Sequence, residues 1–414
     1  MSNPQIQLIE TDVLDRFLRY VKIFTTSSHS STTKPSTPRQ WDLLNLLAQE
    51  AKDLGWPDIY QDPKGYVIIR IPTNLPEVQP TVAFFAHVDT AEDAPGEHVN
   101  PIVHEYQGGI LEISPEFRLT PDNAPELVAY QGRRVITSDG STLLGADDKA
   151  GVAEIMAAAR FFKENPQWPR ANLELIFTSD EEVGRGVEDF PWDQVKARQA
   201  YTLDGGDKGS VELECYHAVM MKVKITGVSW HPGYARGQMV NAISMASALI
   251  NMIPRSESPE ATDGRYGCLW VNDFKGAVET ATLDIRIRDF EEKECDRRVE
   301  MVKTIAKAVE AAFPGGKIEW EEILQYKNMK AGLDARPEVT AKLDEAIRVL
   351  GIEPVHTAIR GGTDGARLTE QGLPTPNIFA GGLNFHSRTE WVAVDSLKAA
   401  TQVIAELAQI WTKK

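Results

Sequence analysis

Cysteine is scarce in this 414-residue chain, which holds only Cys215, Cys268 and Cys295. An odd number excludes complete pairing within the chain, and the spacings fit neither a disulfide framework nor a cysteine-based zinc site. That usage suits a reducing compartment. Long hydrophobic runs are missing too: nowhere do 18 apolar residues follow one another, so no transmembrane helix is expected. The opening stretch MSNPQIQLIETDVLDRF has neither a basic leader nor an apolar core, so no signal peptide is expected and the cytoplasm is the expected location. Positive charge is in deficit, with 44 Lys and Arg against 60 Asp and Glu and a net charge of −16. This speaks against a nucleic-acid partner, which needs clustered cations, and against an anionic membrane surface. The acidic excess itself is a solubility property and identifies no substrate. No internal repeat stands out.

What is present reads as an ordinary globular protein, 42% hydrophobic and 25% charged, long enough for two or three domains. Val13, Leu14, Phe17, Leu18 and Val21 form a helical stripe, with Thr11 as its expected N-cap. A Ser/Thr/Pro-rich stretch from Thr25 to Pro38 reads as a polar, mobile loop. Leu43, Leu47, Ala51 and Leu54 line a second helix, stopped by Gly55 and Pro57. Short continuous apolar runs follow: Thr81–Ala86, Asn172–Thr178, Ala200–Leu203 and Asn377–Ala380, with helices at Ala150–Phe162 and from Leu397 to Trp411. Such runs read as buried strands, and their alternation with helices predicts an α/β domain with a mostly parallel mixed sheet. The segment from Ala91 to Ser138, rich in Pro, Gly and acidic residues, reads as a flap or as surface decoration.

The middle of the chain has a different rhythm. Residues 218–227, Tyr266–Phe274, Val278–Arg288 and Lys317–Tyr326 read as strands; Val240–Ile253 and the stripe Cys295, Val299, Val302, Ala306, Val309, Phe313 read as helices. The order β-α-β-β-α-β predicts a ferredoxin-like α+β unit. It is expected as an insertion at 216–325, splitting the α/β domain into 1–215 and 326–414.

Five stretches place acidic residues or histidine where strands end: FFAHVDT, LGADDKAG, FTSDEEVG, TLDGG and NFHSRTE. Ligands bind outside the carboxyl ends of strands in open α/β sheets. A shared rim would gather His87, Asp89, Asp147, Asp148, Asp180, Glu181, Glu182, Asp204 and His386. So many carboxylates repel one another, and no matching set of Lys and Arg lies in these motifs. Divalent metal is the natural counter-charge. Two histidines among carboxylates suit zinc, with manganese or cobalt as possible substitutes. His29, His98, His104, His217 and His356 lack such a context and read as ordinary surface or core histidines.

The motifs FFAHVDT, LLGADDKAG, TSDEEVG, TLDGG and GGTDGARL, together with HPGYARGQMVNA, resemble the peptidase T branch of the di-zinc metallopeptidase family that also holds aminoacylases and carboxypeptidases. The resemblance runs from about Trp41 to the C-terminus. It implies a di-zinc exopeptidase-like catalytic domain interrupted by a lid and dimerisation domain, and hence a homodimer. It implies that His87 and Asp204 bind one zinc ion, Glu182 and His386 the other, and that Asp147 bridges both. Asp89 would accept a hydrogen bond from His87 and fix its tautomer. Glu181 would be the general base for an attacking water activated by two zinc ions per chain. His231 would stabilise the oxyanion, with Asn241 as a second donor. Arg288 would hold a substrate carboxylate; Arg286, two residues away, and Arg360, before GGTDG, are alternatives. Gly361 and Gly362 are expected to permit close backbone approach.

Two features depart from the family pattern: Trp230 stands where a smaller or polar residue is usual, and Ser387 replaces the usual glycine after the metal histidine. The implied reaction is release of the N-terminal residue from tripeptides. A dipeptidase, a carboxypeptidase or an N-acyl amino acid hydrolase of the same chemistry is the alternative, and a non-catalytic peptide-binding relative is a remoter one.

Overall fold

The computed structural model describes residues 1–413 and divides into two compact units. One comprises Met1–Leu213, Ala331–Thr357 and Thr363–Lys414; the other comprises Glu214–Lys330 and Ala358–Gly362. The short piece carrying Arg360 thus groups with the smaller unit rather than with the chain on either side of it.

The larger unit is built on an eight-stranded sheet in the order Ile59–Asp62, Tyr66–Ile71, Asn172–Thr178, Thr81–His87, Ala200–Gly205, Asn377–Phe379, Ser210–Cys215 and Val355–Ile359. The four strands from Asn172–Thr178 to Asn377–Phe379 run parallel to their neighbours, and antiparallel strands flank them. These four are the apolar runs visible in the sequence. They are apolar throughout because both faces are covered. Phe84 points into the main core, with Phe17, Met156 and Val403 from three helices, Asn3–Tyr20, Ala146–Glu164 and Val394–Ile410. Phe85 points the other way, into a second core with Tyr66, Ile176, Phe190 and Leu368.

The first helix begins at Asn3, well before the expected cap at Thr11, which lies mid-helix. Its start is set by Ser2, whose backbone N–H donates to Gln5 Oε1 at 2.8 Å, and by Pro4 in the first turn. The segment 91–138 is more than surface decoration. Ile102–Tyr106 and Arg133–Thr137 join Trp391–Ala393 and Gly382–Leu383 in a four-stranded sheet, packed over a core of Tyr106, Leu127, Tyr130 and Trp391.

The smaller unit has the order Cys268–Gly276, Thr280–Asp289, His217–Thr226, Lys317–Tyr326, antiparallel throughout. Helices Ala242–Met252 and Glu292–Ala312 cover one face through Met245, Leu249, Val299 and Val302. This is the ferredoxin-like arrangement read from the periodicity. Among the described residues no disulfide forms, and no helix is long and apolar enough to cross a membrane.

Candidate metal centre

The parallel strands deliver their polar ends to one rim of the larger unit. His87 closes Thr81–His87, and Asp204 lies near the end of Ala200–Gly205. Asp147 sits at the head of Ala146–Glu164, in backbone that is not helical there (φ −83°, ψ 106°). That helix approaches the neighbouring strand so closely that a side chain at Gly151 would collide with the Leu203 carbonyl oxygen. This accounts for glycine in the DDKAG run.

After Asn172–Thr178 the chain turns sharply at Asp180, whose φ of +66° lies in the left-handed region. Aspartate tolerates that region better than most residues. Asp180 does not join the rim. Its carboxylate accepts from the Ser36 backbone N–H at 2.7 and 2.9 Å and from Gln40 Nε2 at 2.7 Å. The Ser/Thr-rich segment expected to be mobile is therefore tied down by this buried anion, and by the Thr26 hydroxyl 2.9 Å from that of Thr90. The turn presents Glu181 and Glu182 instead.

Five expected ligands come together in two groups that share one residue: His87, Asp147 and Asp204, and Asp147, Glu182 and His386. Within each group one potential ligand atom per residue lies within 4.8 Å of the others. Asp147 Oδ1 is 3.0 Å from His87 Nε2, and its Oδ2 is 3.3 Å from His386 Nε2. His386 Nε2 is also 2.9 Å from Glu182 Oε2, and His87 Nε2 is 3.6 Å from Asp204 Oδ1.

Asp89 is close behind. His87 Nδ1 lies 3.1 Å from its carbonyl oxygen and 3.5 Å from its carboxylate. That carboxylate accepts from the backbone N–H groups of Glu181 and Glu182 at 3.1 and 3.2 Å. Asp89 thus braces the glutamate turn as well as the histidine. Asp148 accepts from the His87 backbone N–H at 3.2 Å.

The electrostatics are those of an anion cluster short of cations. Burial raises Glu182 to about 8, Asp204 to about 6 and Glu181 well above the usual carboxylate range. His386, hydrogen-bonded to Asp147 and Glu182, is pushed up to about 11. Burial works against the charged form of Asp147, yet its bonds to His386 and His87 outweigh burial and hold it below its ordinary value. Among the described residues no Lys or Arg pairs with any of the five. Glu182 Oε1 is buried with no hydrogen-bond partner. An orphaned buried carboxylate oxygen amid nitrogen and oxygen donors is what a pair of divalent cations would satisfy.

His231, Asn241, Arg288 and Arg360 lie in the smaller unit. His231 is exposed, and its Nδ1 accepts from the Gly233 backbone N–H at 3.1 Å. Its neighbour Trp230 is 47% exposed. Asn241 caps helix Ala242–Met252 through Oδ1, which accepts from Ile243 N–H at 2.8 Å and leaves only its NH₂ to donate. Arg286 pairs with Asp284 at 3.0 Å. Arg288 and Arg360, in contrast, form no ion pair among the described residues. Arg288 stacks over Trp270 and Arg360 over Tyr216, and Arg288 Nη1 reaches the Arg360 carbonyl at 3.5 Å. Gly362 lies against the Tyr326 ring, where a Cβ would come within 2.6 Å, whereas a Cβ at Gly361 would meet only Ile359 Cγ2, at 4.0 Å.

Sequence reasoning missed Glu390, a fully buried carboxylate at the end of the NFHSRTE stretch. Its only signal was its place in that motif.

The model of Peptidase family M20/M25/M40 matches residues 137–410. The chain is 42% identical over 409 residues to Peptidase T of Geobacillus thermodenitrificans, covering 98% of this chain and all of that one. It is 41% identical over 403 residues to Peptidase T of Clostridium perfringens, covering 97% and 99%. Aminopeptidase PepT from Bacillus cereus superposes with a TM-score of 0.74 at 22% identity, over 98% of this chain and 99% of that one. A tripeptidase from Staphylococcus aureus gives 0.77 at 22% over the same shares. A Bacillus subtilis peptidase described as dinuclear metal binding gives 0.65 at 15%, over 98% of each chain. With the family model spanning most of the chain and relatives above 40% identical along nearly its whole length, the chain belongs to Peptidase family M20/M25/M40, among its peptidase T members.

Proposed function

We propose that this protein is a cytoplasmic metalloaminopeptidase that releases the N-terminal residue of tripeptides, using two zinc ions per chain. The observation that carries this reading is the division of Asp147 between two ligand sets, one oxygen to each, with Glu181 beside them. His87 and Asp204 would hold one cation with Asp147, and Glu182 and His386 the other. The donor set of two histidines and three carboxylates favours zinc, and manganese or cobalt would substitute. Two such cations supply the charge that lowers the pKa of the attacking water and stabilises the oxyanion. Glu181 takes the proton from that water and returns it to the leaving nitrogen as the peptide C–N bond breaks. Asp89 keeps Glu181 in place through the backbone of the turn.

The smaller unit would act as lid and dimerisation surface. Its edge strands Cys268–Gly276 and Lys317–Tyr326 offer pairing edges for a homodimer. His231 and the Asn241 amide would donate to the oxyanion. Arg288 and Arg360, two uncompensated guanidiniums, suit the C-terminal carboxylate of a short peptide. Arg286 is already neutralised by Asp284. A clamp of this kind rewards one substrate length, which favours tripeptides over the dipeptidase, carboxypeptidase or N-acyl amino acid hydrolase alternatives.

The test is a panel of tripeptides, C-terminally amidated tripeptides, dipeptides and N-acyl amino acids with product identification. The expected result is release of the N-terminal residue from free tripeptides, with amidation raising KM. Deacylation alone would overturn the substrate assignment. Purified protein with far fewer than two divalent metals per chain would point to a non-catalytic relative. Light scattering at the mass of a 46 kDa monomer would remove the dimer.

A further inference from the structure

The ligand shared by both cation sites hangs on backbone that has no helix to hold it. Asp147 and Asp148 have non-helical dihedrals although they stand within the first turn of Ala146–Glu164. A regular first turn would fix the Asp147 backbone through its carbonyl groups, bonded to the turn that follows, and would leave only its N–H groups in need of outside acceptors. Instead the segment is held by one side chain from far along the sequence. Glu390 is 1% exposed. Its Oε2 accepts from the backbone N–H groups of Leu144 at 2.8 Å and Gly145 at 2.7 Å, and its Oε1 accepts from that of Asp147 itself at 3.0 Å. Both oxygens are engaged, and all three donors are main-chain groups with fixed directions. Glu390 also lies only four residues beyond His386. One short segment therefore brings His386 to the group it forms with Glu182 and Asp147, and a carboxylate that fixes the ligand common to both groups.

We propose that Glu390 is the positioning residue for Asp147, and that through Asp147 it sets the affinity of both cation sites at once. This rests on the metal reading given above. Glutamine at 390 has the same shape but one acceptor oxygen, so its NH₂ group must face at least one of the three N–H donors. The shared ligand then loses its aim. Groups that orient metal ligands from behind commonly contribute about 10- to 100-fold in metal affinity, and here the loss falls on two sites together.

The experiment compares wild type, Glu390→Gln and Glu174→Gln. Glu174, on strand Asn172–Thr178 of the eight-stranded sheet, is an equally buried carboxylate that accepts from the Lys196 and Ala197 backbone N–H groups at 3.1 Å and pairs with Arg70 at 3.5 Å, and it belongs to neither ligand group. Zn²⁺ affinity is measured for each site by chelator competition, the Co²⁺-loaded proteins are compared by visible absorption, and thermal stability is measured without metal. Glu390→Gln is expected to weaken both sites in parallel by about 10- to 100-fold and to alter the Co²⁺ bands. Glu174→Gln is expected to lower stability and leave Zn²⁺ affinity and the bands unchanged. If Glu390→Gln does not fold, Glu390→Asp, whose shorter arm cannot span all three donors, is read by the same criteria. Zn²⁺ affinities within about twofold of wild type, loss at one site only, or an equal loss in Glu174→Gln would each overturn the proposal. Wild type binding no Zn²⁺ would defeat the metal reading itself, a distinct outcome.

Discussion

The two ligand groups share Asp147 yet sit in different surroundings. His87, in the inner group, is 3% exposed at its side chain, and Asp204 is 12% exposed. In the outer group His386 is 41% exposed and reaches an exposed Asp93 at 3.2 Å through Nδ1. The inner histidine ends a strand in mid-sheet, with Asp89 and Asp148 behind it. The outer histidine stands on a loop, at a positive φ of 58°. Similar ligand types in unequal surroundings imply unequal hold: a cation in the inner group would be enclosed by fixed groups, while one in the outer group would meet solvent.

The largest effect expected follows from what the sites have in common. Asp147→Ala should empty both, with metal analysis falling from two ions per chain to well under one and activity lost by several orders of magnitude. Retention of one tightly bound ion would show that the sites are independent. Glu181→Gln should separate metal from chemistry, keeping two ions while kcat falls about 10²- to 10⁴-fold. Loss of metal in this variant would make Glu181 a ligand.

The asymmetry itself is tested by chelation. Release from wild type should be biphasic, and His386→Ala should keep one ion with the slow phase, whereas His87→Ala should lose the slow phase. The reverse pattern would break the comparison.

The smallest effect concerns a buried carboxyl on the helix that carries Asp147. Glu154, on the helix that Asp147 heads, is fully buried with neither oxygen hydrogen-bonded, and burial raises it well above 4.5. A carboxyl raised in the folded state favours folding below its unfolded value and loses that advantage as pH rises from about 4.5 towards the folded value. Glu154→Gln should therefore gain stability relative to wild type with increasing pH, by about 1–3 kcal/mol at pH 8, with metal content unchanged. Denaturation curves at pH 5 and pH 8 that differ equally in both proteins would show that Glu154 stays hydrated.

The parallel strands and the residues at their ends were legible because each is a local signal: an apolar run of strand length, then acid or histidine. The ferredoxin-like unit was legible for the same reason, its order of elements being written along the chain. What escaped depends on distant pairing. Nothing around Asp180 says that it turns towards Ser36 and Gln40, more than 130 residues away. Nothing in residues 91–138 says that Arg133–Thr137 pairs with Trp391–Ala393 on one side and with Ile102–Tyr106 on the other. Glu390 reads locally as a polar residue in a turn, and only the fold brings the Asp147 backbone to it. The Thr11 cap failed for a different reason: the apolar stripe continues back through Ile9 and Ile6, so the helix starts a further two turns earlier, at a cap formed by Ser2 and Gln5.

The strand Asn377–Phe379 lies between Ala200–Gly205 and Ser210–Cys215, which are themselves only a few residues apart in the chain. A nascent polypeptide emerges N-terminus first. While the stretch between Cys215 and Asn377 is made, the two earlier strands therefore wait for the neighbour that must slot between them, and His386 and Glu390 follow that neighbour soon after. The smaller unit is continuous but for Ala358–Gly362, so the bulk of it is complete on the ribosome while the central sheet still has a gap. Assembly of the ligand set is thus among the last events in the life of a new chain. Such long-range closure is slow, and it leaves little chance for a half-made protein to sequester metal or to cut peptides before its sheet is whole.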